Sequence, residues 1–207
     1  MTERNTGAGP RRNARSSRSL ADLAHFDRLY RLDDDPWCYE QSQAEAFKRR
    51  AVLAALGSGL LGNGCELGCG PGVATAAMAS RFATLTAIDG SAEAVRLASR
   101  RTARYRNVTV QRRALPSPLP HRAYDVVIAT ETLYYLRPTA LNEMLRAIRR
   151  SLRPGGQFVS THAIGRFDDA ATSGLELVHR QSAVFGSPVR TIVGASWRLE
   201  LFQHSAF

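Results

Sequence analysis

The chain has 207 residues, enough for one well-packed domain with little left for a second. Hydrophobic residues make up 44% and charged residues 22%, as in ordinary soluble globular proteins, and no apolar run approaches the roughly 20 residues that would span a bilayer. The formal charge of +10 invites a nucleic-acid surface. About four of those charges sit in the first 19 residues, where Arg4, Arg11, Arg12, Arg15 and Arg18 face only Glu3. Lys48 is the only lysine, so the remaining charge is arginine, spread along helical stretches as at Arg96, Arg100, Arg101, Arg104 and Arg106. That spread reads as a solvated helix face rather than a phosphate track, and nucleic acid is not the expected partner.

Residues 1–19 lack an apolar run and are rich in Arg, Ser, Gly and Asn, which predicts a disordered basic tail and no secretory signal. Residues 20–207 then form one domain. A helix is expected over 20–31, stopped by Asp33, Asp34, Asp35 and Pro36. A second helix, over 45–56, carries Phe47, Val52, Leu53 and Leu56 as its apolar set, and 57–64 is a glycine-rich connector. From there strands and helices alternate: a strand at 63–67, a helix at 73–81, a strand at 85–89, a helix at 92–105 with Ser91 as N-cap, and a strand at 108–111. The near-continuous apolar run at 124–129 suits the centre of a parallel sheet. A helix at 139–152, a turn at 153–156 and a strand at 157–162 follow. After a helix at 173–185, two strands at 189–193 and 196–204 come without a helix between them. The alternation predicts an α/β, Rossmann-like doubly wound fold. The closing strands predict that a mostly parallel, seven-stranded sheet ends in an antiparallel pair, the methyltransferase variant of that fold.

The three cysteines, Cys38, Cys65 and Cys69, are odd in number and contain no CxxC pair. That argues against a disulfide framework or a zinc site and fits a reducing cytoplasm; no metal is expected.

The chemistry-bearing motif is Glu66-Leu67-Gly68-Cys69-Gly70-Pro71-Gly72, set between a strand and a helix. Glycines let the chain turn sharply and let a ligand approach the backbone; the helix behind offers unpaired N–H groups. Asp89 ends the next strand, 17 residues past Gly72, where a carboxylate can accept both hydroxyls of a ribose. A dinucleotide fingerprint would place its third glycine three residues after the second, whereas these three are spaced by two. Glu66 also suits a cationic amino-acid group better than a pyrophosphate. The expected cofactor is S-adenosylmethionine, held by Glu66, Gly68, Gly70, Asp89 and Thr130. Direct methyl transfer needs an electron-rich atom aligned behind the methyl and freed of its proton. Glu131, Tyr134 and Tyr135 beyond the fourth strand and His162 at the end of the fifth are the candidates, with Glu131, His162 and Tyr135 as the catalytic set. Each also has a plainer reading: Glu131 as a helix cap, the tyrosines as packing, His162 as a hydrogen-bonded structural residue.

Three flanking segments resemble one family. Asp35-Pro36-Trp37-Cys38-Tyr39-Glu40 with Lys48-Arg49-Arg50 resembles the entry segment of NodS-like methyltransferases; Glu131-Thr132-Leu133-Tyr134-Tyr135-Leu136 resembles their fourth-strand segment; Trp197-Arg198-Leu199-Glu200-Leu201-Phe202 resembles their closing strand. The resemblance covers about residues 22–204. It implies a class I methyltransferase whose N-terminal segment, with Trp37 and Tyr39, covers the cofactor. It further implies N-methylation of a free amine, as on a deacetylated chitooligosaccharide or amino sugar in nodulation-factor synthesis, or else methylation of another small molecule. Gln43 and Ala44 stand where the family has aromatic residues. An RNA or DNA methyltransferase acting on base nitrogens would carry a proline-rich tetrapeptide where this chain has Ala129-Thr130-Glu131-Thr132. A non-catalytic binding module is the third reading.

Overall fold

The computed structural model describes residues 23–165 and 170–205. The expected basic tail and the first three residues of the expected first helix lie outside them. Helix α1 spans Leu23–Leu32 and α2 spans Gln43–Ala55; Ser42 caps α2, its hydroxyl accepting from the Glu45 N–H. The alternating core follows as β1 Leu61–Leu67, α3 Val73–Met78 with a 3₁₀ turn Ala79–Arg81, β2 Phe82–Asp89, α4 Ala92–Thr102 and β3 Val108–Arg112. Next come β4 Tyr124–Thr130, a 3₁₀ turn Leu133–Tyr135, α5 Pro138–Ser151, β5 Leu152–Ala163, α6 Gly174–Phe185, β6 Arg190–Val193 and β7 Trp197–Gln203.

The seven strands form one sheet in the order β3-β2-β1-β4-β5-β7-β6. Strands β1 to β5 run parallel, and β7 inserts antiparallel between β5 and β6. The order reverses between β1 and β4, so the crevice at their carboxyl ends is where an open α/β sheet takes its ligand.

Two helical layers cover the sheet. On one face Leu141, Met144, Leu145 and Ile148 of α5, spaced at helical period, meet Val127, Phe158 and Phe202. Pro138 opens that helix at its first turn and Arg149 and Arg150 close it. On the other face Val52, Ala55 and Leu56 of α2 and Met78 of α3 pack on Ile128, Val159, Leu199 and Leu201. Phe47, expected in the apolar set of α2, is instead 54% exposed, its ring edge-on to Trp197.

Three boundaries depart from expectation for local reasons. Strand β1 begins two residues early because Leu61 already pairs with Phe82. The expected turn at 153–156 is absorbed into β5 as a bulge: Leu152 pairs with Tyr124 and Gln157 with Val126, so four residues loop out around Gly155 at φ +77°. Helix α4 stops at Thr102, whose hydroxyl bonds the Ala98 carbonyl and closes the last turn.

Candidate active site

At the carboxyl ends of β1, β2 and β4 lies a cleft of about 1240 Å³, measured out to its open mouth. The glycine loop forms its floor. Gly68 sits at φ +68°, and a Cβ there would fall 2.2 Å from the Thr132 hydroxyl, so only glycine lets the β1 and β4 loops meet. Gly72, at φ +79°, faces away from the cleft: a Cβ would lie 2.8 Å from Cα of Ala98, so this glycine seats α4 against the loop. The third glycine of the motif therefore serves helix packing.

Glu66 is 1% exposed. Thr75 of α3 donates to its Oε2 at 2.5 Å, while Oε1 has no partner among the described residues. Burial pushes the Glu66 carboxyl up to about 7, against the Thr75 hydroxyl and with a smaller push from Asp89. Asp89 ties two loops together: Oδ2 accepts from the Gly70 N–H at 2.9 Å and Oδ1 from the Ser91 N–H at 2.8 Å. Burial raises its pKa, and the N–H groups of Ser91, Gly70 and Gly90 oppose that. Ser91 itself caps α4, accepting from Ala94 N–H at 3.1 Å.

The N-terminal segment roofs the cleft with aromatic rings. Tyr30 and Trp37 meet edge-on at 5.5 Å, Phe26 and Tyr135 at 5.1 Å, and Trp37 and Tyr39 lie 5.8 Å apart. Arg49 of α2 donates to the Tyr39 carbonyl at 2.6 Å and pins this roof to the second helix. Burial raises the Tyr39 phenol, with Tyr135, Glu45 and Glu131 adding to it, so the hydroxyl stays neutral.

Beyond β4, Glu131 takes φ +51°, in the left-handed region that costs a non-glycine residue on the order of 1–3 kcal/mol. Its N–H bonds the Thr161 carbonyl at 2.9 Å. Its carboxylate meets the Lys48 ammonium at 3.1 Å, and Glu45 meets the same ammonium at 2.6 Å.

All of Trp37, Tyr39, Glu66, Gly68, Gly70, Asp89, Thr130, Glu131 and Tyr135 line this cleft. His162 does not. Side chains alternate along β5, so Thr161 faces the cleft and His162 the α6 side, 1% exposed. Burial and Arg198 lower its pKa to about 4, and its Nδ1 has no partner among the described residues. The expectation that His162 belongs to the catalytic set is therefore corrected: it lies behind the strand. The residues missed in the sequence are Tyr30, Glu45, Thr75 and Thr161. Of these the Glu45–Lys48 pair carried a legible mark, an acid three residues before the only lysine on a helix.

The chemistry of this cleft fits S-adenosylmethionine. A buried carboxylate with one orphaned oxygen suits the ligand's cationic amino-acid end, and Asp89 at the end of β2 suits its ribose.

Comparison with known proteins agrees. The methyltransferase-domain family matches residues 65–156. Nodulation protein S of Rhizobium tropici is 32% identical over 131 residues, 61% of this chain and 54% of the relative. A ubiquinone biosynthesis O-methyltransferase of Pseudomonas entomophila is 36% identical over 103 residues, 46% of this chain and 42% of the relative. The chain thus spans about half the length of the curated relatives it matches. Among solved structures, the N-methyltransferase NodS of Bradyrhizobium japonicum WM9 with S-adenosyl-L-homocysteine superposes with TM-score 0.76 at 21% identity, covering 88% of this chain and 97% of that one. The DhpI complex with the same ligand gives 0.72 at 20% identity, covering 90% and 97%. Residues 65–156 thus match the methyltransferase-domain family, and the chain shares the fold of these S-adenosyl-L-homocysteine-bound structures.

Proposed function

We propose that the chain N-methylates a primary amine, with the free amino group of a deacetylated chitooligosaccharide or amino sugar as the acceptor. The observation that carries this reading is the pair of carboxylates, Glu45 and Glu131, that line the same cleft as the glycine loop and share the Lys48 ammonium. Carboxylates attract an alkylammonium and repel a phenolate, so the site favours an amine over the phenolic acceptor of an O-methyltransferase. Similarity to nodulation protein S supports the same choice.

The cofactor supplies an electrophilic methyl carried on a sulfonium. The chain's own residues do the rest. Glu66 would hold the amino-acid end of the donor and Asp89 its ribose, and the Trp37–Tyr39 roof would exclude water, which would strengthen every charge interaction beneath it. An amine attacks only when its lone pair is free, so its extra proton must leave first. Glu131 would accept that proton, with Tyr135 and Thr130 lining the path; the freed nitrogen lone pair would take the methyl as its bond to sulfur breaks, leaving S-adenosylhomocysteine. Glu131→Gln is expected to lower kcat on an amine by roughly 10²-fold while leaving S-adenosylhomocysteine affinity within about twofold. An unchanged kcat in that variant removes Glu131 from the reaction. We place the reaction in a reducing cytoplasm, a reading supported by Cys38, Cys65 and Cys69, all free thiols.

A further inference from the structure

In a chain with 28 basic residues, the single lysine lies in the cleft. Everywhere else the chain uses arginine. At position 48 the difference is chemical: an arginine fork grips carboxylates in two-point fashion, whereas an ε-ammonium is a compact point charge. It is also a primary alkylammonium, the same group that a protonated amine acceptor presents.

The surroundings sharpen this. Lys48 Nζ lies 2.6 Å from Glu45 Oε1 and 3.1 Å from Glu131 Oε1, bridging α2 to the end of β4. The three side chains are only 13%, 21% and 11% exposed. Arg49, the other cation lining the cleft, is directed to the Tyr39 carbonyl and meets neither carboxylate within bonding distance. Two carboxylates and one ammonium leave one net negative charge. Glu131 holds its place at φ +51°, so the loop is strained to present this carboxylate.

We propose that Glu45, Lys48 and Glu131 form a charge-recognition site for the acceptor, in which the Lys48 ammonium stands in for the acceptor's ammonium until the acceptor displaces it. The site then selects molecules carrying one alkylammonium group. It rejects neutral isosteres, which leave the carboxylates with no better partner than Lys48, and anions, which they repel. This inference rests on the amine reading above and deepens it.

The probes are glucosamine and glucose, which differ at one position by –NH₃⁺ against –OH. Binding is measured by calorimetry on the full chain loaded with S-adenosylhomocysteine, so no turnover is needed. The wild type is expected to prefer glucosamine by about tenfold or more. Glu131→Gln and Glu45→Gln are each expected to cut that preference several-fold. Lys48→Met removes the stand-in and is expected to tighten glucosamine binding several-fold; Lys48→Arg clamps both carboxylates and is expected to weaken it. S-adenosylhomocysteine affinity reports folding in each variant, and the two glutamine variants back each other if one fails to fold.

Equal binding of the two sugars by the wild type overturns the proposal. So does a preference that survives in both glutamine variants, or weaker glucosamine binding in Lys48→Met and Lys48→Arg alike, which is the mark of a merely structural ion pair. A wild type that prefers glucosamine tenfold yet methylates no amine leaves the charge site standing and removes the N-methylation reading.

Discussion

Glu66 carries the sharpest tension at the scale of single residues. Its carboxyl is enclosed, one oxygen meets Thr75, and the other meets no described residue. A carboxyl raised in the folded state from its ordinary 4.5 to about 7 binds more protons folded than unfolded between those values. The protein without cofactor therefore loses stability as pH rises from about 4.5 through about 7, by on the order of 3 kcal/mol. Glu66→Gln keeps the shape and drops the charge. It is expected to raise Tm above pH 7, flatten the pH dependence in that window, and weaken S-adenosylhomocysteine binding at least tenfold. Thermal unfolding from pH 4 to 8 checks it; a variant less stable than wild type at pH 8 contradicts it. The ligand's cation pairs with the ionised carboxylate, so the wild type's own affinity for that ligand is expected to rise with pH across the same window.

At the scale of elements, the glycine motif divides its labour. Gly68 lets the β1 and β4 loops meet, and Gly72 lets α4 approach. Gly72→Ala places a Cβ 2.8 Å from backbone and strains φ +79°, so it is expected to destabilise by about 2 kcal/mol. Denaturant unfolding would show this as a lower midpoint at constant slope; an unchanged midpoint would mean that α4 moves aside freely. One bond, from Arg49 to the Tyr39 carbonyl, ties the roof to α2. Arg49→Met is expected to speed S-adenosylhomocysteine release roughly tenfold in stopped-flow displacement while moving Tm by only a degree or two; an unchanged release rate means that the contacts with α4 and the aromatic rings hold the roof without it. The elements themselves were legible in the sequence, because periods of 2 and 3.6 survive in single chains. Their ends were less so. The loop-out at 153–156 depends on pairing of its flanks with β4, which no local pattern records. His162 was misplaced for a related reason: strand alternation fixes that Thr161 and His162 face opposite ways, but which face meets the ligand is decided by α2 and α6 packing from far along the chain.

Taken whole, the molecule brings Glu66, the glycine loop and Asp89 into the same cleft as Glu45, Lys48 and Glu131, the groups proposed for the acceptor. Glu66, the glycine loop and Asp89 come from consecutive β1–α3–β2 elements, so a short stretch of sequence announced them. Glu45, Lys48 and Glu131 come from α2 and the end of β4, 83 residues apart between Lys48 and Glu131, and only the fold brings them together. That separation explains why the methyl donor was readable from the motif and the acceptor was not. The most direct measurement is methyl transfer from methyl-labelled S-adenosylmethionine, offered in parallel to glucosamine, a deacetylated chitooligosaccharide and a phenolic ubiquinone precursor, with the product's labelled atom located by mass spectrometry. Label on nitrogen of the amino sugars and none on the phenol is the expected result. Label on the phenolic oxygen alone, or none on any amine from a chain that binds S-adenosylhomocysteine, would contradict it.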